Sequence, residues 1–162
     1  MNLIQGSKNQ CVAASVGMLF EWKLEELARF PLFDITRYQY PFPPPWSHLP
    51  KVASMEEICE WAFAATGRGL VPFPRNPTCS PSADCPPQPV FDNGAKAFRN
   101  HLTYGAGLLE GFIKGRRGHM CAWDGLKVYD SRGYIYQIED ADDYSFTPTR
   151  FWLSVPARGN DA

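Results

Sequence analysis

The 162 residues hold five cysteines, at 11, 59, 79, 85 and 121, and only three histidines, His48, His101 and His119. An imidazole mechanism therefore has three candidates. An odd cysteine count leaves at least one thiol unpaired, and a reducing compartment would leave all five free, their reactivity set by local environment. The stretch most suggestive of chemistry runs Gly118-His119-Met120-Cys121-Ala122-Trp123-Asp124-Gly125-Leu126-Lys127-Val128-Tyr129-Asp130. Asp-Gly between two strand-like runs is a strong two-residue hairpin signal. With Asp124 and Gly125 in the turn, Trp123 opposes Leu126, Ala122 opposes Lys127, Cys121 opposes Val128, Met120 opposes Tyr129 and His119 opposes Asp130. Directly opposed side chains share a face, with Cβ atoms ~4.5–5.5 Å apart. The carboxylate would hold the ring in one tautomer and stabilise imidazolium, leaving the other nitrogen for a thiol. The alternative is a surface His–Asp pair. Against it, the shared face also carries Cys121, Trp123, Leu126 and Val128, so the pair is expected half-buried. A one-residue slip would separate the two side chains onto opposite faces.

Cys11 falls at the start of a helix predicted over residues 10–22, whose apolar face is Val12, Val16, Leu19 and Phe20. Asn9 as N-cap would put Gln10 at N1 and Cys11 at N2. The positive helix end would favour the thiolate, and the Cys11 N–H, one of the amides unpaired at a helix start, could donate to an oxyanion. Gln5, six residues upstream across Gly6-Ser7-Lys8, carries a neutral amide donor that could complete such a hole. Gln10 is a rival on a different helix face. Cys11 could equally be a small buried hydrophobe on a core helix.

The elements that must position these residues follow in order. A short helix is expected over Lys23–Arg29. A third helix opens at Ser54, with Glu57 in the capping-box position, and stops at Gly67. A fourth covers Gly94–Leu102. Strands are then expected at Gly107–Ile113, His119–Trp123, Leu126–Asp130, Tyr134–Glu139 and Arg150–Val155, separated by glycine-rich turns and an acidic stretch. Helices followed by an antiparallel meander predict an α+β domain spanning 1–162, with a helical part at about 1–104 and a β part at about 105–156. The cleft between the two layers is the natural place for a site. Prolines concentrate in residues 31–50 and 72–89, which read as extended loops because proline lacks an N–H and fixes φ. The run Pro41 to Trp46 could also serve a proline-reading domain, though such runs are common in surface loops.

Composition bounds the function. Hydrophobic residues at 44% and charged residues at 20% suit a globular core. A net charge of −1 gives no reason to expect nucleic acid or an anionic membrane. No apolar run approaches the ~20 residues of a membrane helix, and the first residues lack the pattern of a secretory signal, so a cytoplasmic setting is expected. Cys79 and Cys85 lack the second close pair and nearby histidine of a zinc site, so no metal and no cofactor is expected. Cys59 and Cys121 read as structural. Arg116 and Arg117 precede His119 in a turn; they are either a solvated loop or a positive rim selecting an acidic substrate group.

Gln5, Asn9-Gln10-Cys11, Gly118-His119 and Val128-Tyr129-Asp130, in that order, resemble the papain-like cysteine peptidases. The short helical lobe followed by a meander looks closer to the compact bacterial leader-cleaving branch than to the lysosomal enzymes. The resemblance implies Cys11 as nucleophile, His119 as base and then acid, Asp130 as orienter and Gln5 as oxyanion donor. It also implies a protein or peptide substrate, with Arg116, Arg117 and Trp123 on the substrate side. Val12 departs from the Gly, Ser or Trp that many relatives carry after the cysteine, and no transporter domain accompanies the chain. Hydrolysis of an amide, peptide or isopeptide bond is the leading expectation. Transglutaminase, deamidase, acyltransferase or cell-wall amidase chemistry is the second, and a non-catalytic binding module on the same scaffold the third.

Overall fold

A computed structural model describes residues 1–6, 10–33, 54–75, 93–114 and 118–156. Among the described residues the α-helices are α1 (Cys11–Phe20), α2 (Leu24–Leu27), α3 (Met55–Thr66) and α4 (Asn93–Leu102), and the strands are β1 (Arg68–Pro74), β2 (Gly107–Ile113), β3 (His119–Trp123), β4 (Val128–Asp130), β5 (Tyr134–Tyr136) and β6 (Phe146–Pro156). They form one sheet in the order β1-β6-β2-β3-β4-β5, antiparallel at every junction. The expected α+β class is observed. The run β2 to β5 is the expected meander, whereas β6 returns to lie beside β2.

The capping box of α3 forms as its sequence dictates: Glu57 N–H donates to Ser54 Oγ at 3.2 Å and Ser54 N–H to Glu57 Oε2 at 2.8 Å. Such a cap is worth about 1 kcal/mol, and Gly67 closes the helix in a left-handed conformation. Helix α1 is shorter than expected: it ends at Phe20, with Glu21 left-handed after it.

The sheet is covered on both faces. Leu70, Leu108, Met120 and Trp152 pack against α1, α2 and α3 through Ala13, Val16, Leu27, Ile58, Trp61 and Ala62. The opposite face carries Leu109, Cys121, Trp123, Val128, Tyr136, Phe146 and Phe151, covered by Phe98 and Leu102 of α4. The helices thus form two layers around the sheet, not the single layer expected. All five residues of β3 are buried, which explains its nearly unbroken apolar sequence.

Strand β1 lies inside the part expected to be helical. Pro72 and Pro74 disguise it, yet β1 pairs only with β6, and an edge strand tolerates proline. The strand expected at Tyr134–Glu139 stops at Tyr136, and Ile138–Asp140 turns into a 3-10 helix. Residues 34–50 and 76–89 of the two proline-rich stretches, with Cys79 and Cys85, lie outside the described residues, as do Arg116 and Arg117. Among the described residues no helix is long and apolar enough to cross a membrane.

Candidate active site

Helix α1 lies along β3. Ala14 and Met18 pack on Ala122, while the buried Ser15 Oγ donates to the Met120 carbonyl at 2.9 Å. Cys11 and Ser15 are four residues apart and therefore share a helix face. The same contact that fastens α1 to β3 thus brings Cys11 to the first residues of the strand. Gln10, not Asn9, is the N-cap, so Cys11 is the first helical residue rather than the second. Its N–H remains one of those with no partner within the helix.

The hairpin that carries the histidine differs from its expected register. Ala122 pairs with Tyr129 and Trp123 with Val128. Asp124 N–H donates to the Lys127 carbonyl at 3.2 Å, so Asp124 ends the strand and Gly125-Leu126 is the turn. The reason is the Asp124 side chain: Oδ1 accepts from Leu126 N–H at 2.8 Å and Lys127 N–H at 2.7 Å. Gly125, at φ 103°, takes the first central position, a place hairpin turns reserve for glycine. Leu126, expected on the apolar face, is therefore an exposed turn residue. Moving the turn by one residue shifts every cross-strand partner by two, and a shift of two keeps each side chain on its face. Asp130 accordingly falls opposite Cys121, diagonal to His119, and still reaches it.

His119 Nε2 lies 3.0 Å from Asp130 Oδ1, with His119 7% exposed and Asp130 fully buried. The imidazole also meets the Phe146 ring edge-on, centroids 5.7 Å apart. With Nε2 committed to Asp130, Nδ1 is the nitrogen left for the thiol. Burial by itself would lower the His119 pKa. The hydrogen bonds to Asp130 and Cys11 and their two negative charges together outweigh it, and the value is pushed up to about 9. Cys11 is half-buried, and burial would raise its pKa. Hydrogen bonding to His119, the imidazolium charge and the N–H groups of Met120 and Val12 reverse that, and the thiol ends below its ordinary value. Both shifts run in the direction of a thiolate–imidazolium pair.

Asp130 is held by more than the histidine. Its Oδ1 also accepts from Arg132 N–H at 2.9 Å. Its Oδ2 accepts from Arg132 Nε at 2.9 Å, Arg132 Nη2 at 2.6 Å and Tyr136 Oη at 3.4 Å. Burial would raise its pKa, but His119 and Arg132 together hold it well below the usual carboxylate range.

Cys121 is different. It is buried, 3.9 Å from Tyr136 Oη, and burial beside Asp130 drives its pKa far upward, so it stays a neutral thiol. His119, Cys121 and Asp130 bring their ligating atoms within 4.8 Å of one another, the spacing of a possible metal site. The donors fit a metal poorly, because the nitrogen, both carboxylate oxygens and the thiol are already committed to hydrogen bonds.

The remaining expected site residues fall as follows. Gln5 is exposed, and its Nε2 would sit 2.6 Å from a Cβ at Gly133, so it lies over the turn that follows Asp130. Gly6 N–H donates to the Ser131 carbonyl at 3.0 Å, which pins this N-terminal segment to the same turn. Among the described residues no hydrogen bond joins Gln5 to Cys11 or His119. Trp123, expected on the substrate side, is a core residue: it is 5% exposed and its indole N–H donates to the Leu102 carbonyl at 2.9 Å. It lies at the end of β3, on the sheet face that α4 covers, which accounts for that. Ser15, Arg132 and Tyr136 were missed. Arg132 had a legible signal, since a charged residue two positions after a carboxylate in a Ser-Arg-Gly turn can fold back on it. Comparison with known protein families, curated proteins and solved structures found no match for this chain.

Proposed function

We propose that this protein is a cysteine hydrolase of papain-like arrangement, acting on an amide, peptide or isopeptide bond in a protein or peptide substrate. One observation carries the reading: a depressed thiol at the first residue of a helix faces an imidazole whose far nitrogen is held 3.0 Å from a buried carboxylate. The Cys11 thiolate attacks the carbonyl carbon, and the oxygen takes up the electron pair as an oxyanion. The Cys11 N–H at the helix start is the first donor to that oxyanion, and Gln5 is the second in this reading. The tetrahedral species collapses with cleavage of the C–N bond, and the His119 imidazolium gives its proton to the departing amine. His119, now neutral, takes a proton from water. The hydroxide adds to the acyl-thioester, the C–S bond breaks, the acid is released and Cys11 returns as thiolate beside imidazolium. Asp130 stabilises the imidazolium at both stages. The free thiols at Cys11, Cys59 and Cys121 suit a reducing, cytoplasmic setting.

The test is incubation with a diverse peptide library, with cleavage read by mass spectrometry. Cleavage by the wild type that is absent from Cys11→Ala and His119→Ala supports the proposal. Ammonia release without chain cleavage would replace hydrolysis of the chain with deamidase or transglutaminase chemistry on the same residues. Cleavage that survives Cys11→Ala would remove the proposal.

A further inference from the structure

Asp130 receives five donors, and three of them come from one residue. Arg132 closes on the carboxylate with Nε and Nη2 on Oδ2 and with its own backbone N–H on Oδ1. Its Nη2 also donates to the Tyr144 carbonyl at 2.8 Å, so the fork is anchored to the chain beyond β5. The two side-chain N–H groups converge on Oδ2 while the backbone N–H holds Oδ1, so one residue ties down both oxygens and the rotation of the carboxylate is fixed; an ammonium offers no such planar pair of donors. With Oδ2 occupied, Oδ1 is the oxygen left facing His119 Nε2. We infer that Arg132 is a positioning residue of the proposed active site: it fixes Asp130 in the one rotation that serves His119, and its charge offsets part of the carboxylate's pull on the imidazole. The inference rests on the proposed Cys11–His119 reading and adds a regulator to it.

The charge effect has a definite sign. The groups facing His119 and Asp130 are Cys11 from α1, Cys121 from β3, Tyr136 from β5 and Arg132 from the turn after β4. Cys121 and Tyr136 are both driven upward by burial and remain neutral through the working range. Asp130, Cys11 and Arg132 are then the charges His119 feels. Two are negative and hold its proton, and Arg132 alone opposes them. Removing the guanidinium charge should let His119 keep its proton to higher pH. The Arg132 side chain is 25% exposed, so solvent screens part of the effect.

The readout needs no substrate. Site-resolved alkylation of Cys11 by anionic iodoacetate and by neutral iodoacetamide is followed against pH. The iodoacetate-to-iodoacetamide rate ratio falls where the neighbouring imidazolium loses its charge, so its midpoint reports His119. Arg132→Lys keeps the charge but loses the fork, so the Asp130 hydrogen bond that holds the His119 proton is loosened and the midpoint should fall below wild type. Arg132→Gln loses the charge as well and should lie about 0.5–1 unit above Arg132→Lys. If Arg132→Gln does not fold, proton NMR of Arg132→Lys still decides. The downfield Nε2–H resonance of His119, sharp in wild type, should broaden or vanish once the fork is lost. A midpoint in Arg132→Lys at or above wild type, one in Arg132→Gln no higher than in Arg132→Lys, or an unchanged Nε2–H signal overturns the inference while leaving the proposed function standing. A ratio already insensitive to His119→Ala in the wild-type background removes the proposed function, and this inference with it.

Discussion

Replacing Asp130 with asparagine keeps the shape and removes the charge, and its effect can be worked from the contacts. The His119 pKa lies at about 9 against an ordinary 6.5, a difference worth roughly 3 kcal/mol at 1.36 kcal/mol per unit. Burial works against that rise. Of the raising influences Asp130 supplies the strongest, its hydrogen bond, and adds its charge, while Cys11 supplies the rest. Asp130→Asn should therefore take back more than about one unit, placing the alkaline midpoint below about 8. A carboxamide has one acceptor oxygen, whereas the carboxylate shares two among five donors. If Arg132 keeps that oxygen, the amide NH₂ faces Nε2 and forces the proton onto Nδ1, the nitrogen the thiol needs. The Cys11 alkylation rate at neutral pH should then fall at least tenfold, with the midpoint of the iodoacetate-to-iodoacetamide ratio lowered. A variant that keeps both the rate and a midpoint near 9 refutes the reasoning.

Other outcomes follow from the same contacts. Ser15→Ala leaves the buried Met120 carbonyl without its donor and loosens α1 from β3; thermal or urea melts should show a loss of about 1–2 kcal/mol, with slower Cys11 alkylation. Gly111 pairs with His119 and sits where β6 slips register; a Cβ there would lie 2.2 Å from the Thr147 carbonyl oxygen and 2.8 Å from Phe146 Cε2. Gly111→Ala should cost about 1–3 kcal/mol in urea melts and disturb His119 through Phe146. Trp123→Phe, which loses the bond to the Leu102 carbonyl and part of the buried volume of the indole, should cost about 1–3 kcal/mol in the same assay and leave Cys11 alkylation unchanged. Stability contributed by the raised His119 pKa is complete below pH 6.5 and lost as pH rises through about 9. That contributed by the depressed Asp130 pKa persists in mild acid and is lost only as pH falls through its folded value. Wild-type melting temperature should therefore decline between pH 6.5 and about 9 more steeply than that of His119→Ala.

Elements whose signals are local were legible. Ser54 to Gly67 carries its cap and stop within its own residues, and the structure starts and ends α3 there. The His119–Asp130 pairing was legible for a subtler reason. The turn moved by one residue because the Asp124 carboxylate captured two N–H groups, but the alternation of a strand carries such a shift to the same face. Strand β1 was not legible, because tolerance of Pro72 and Pro74 depends on lying at an edge, a property of the whole sheet. The burial of Trp123 depends on α4 crossing that face, and the Arg132 fork depends on the fold of a turn. Long-range packing decides β1 and Trp123, whereas the Arg132 fork is local, two residues from Asp130.

The central claim is that Cys11 is ionised because His119 stands beside it. The direct measurement is ultraviolet thiolate absorbance titrated against pH, taken as the difference between wild type and Cys11→Ser, then repeated in the His119→Ala background. The account predicts a Cys11 midpoint below that of an ordinary thiol in the wild type, moving upward in His119→Ala, where only the Met120 and Val12 N–H groups still oppose burial. A wild-type midpoint at or above the ordinary value, or one indifferent to His119, contradicts it.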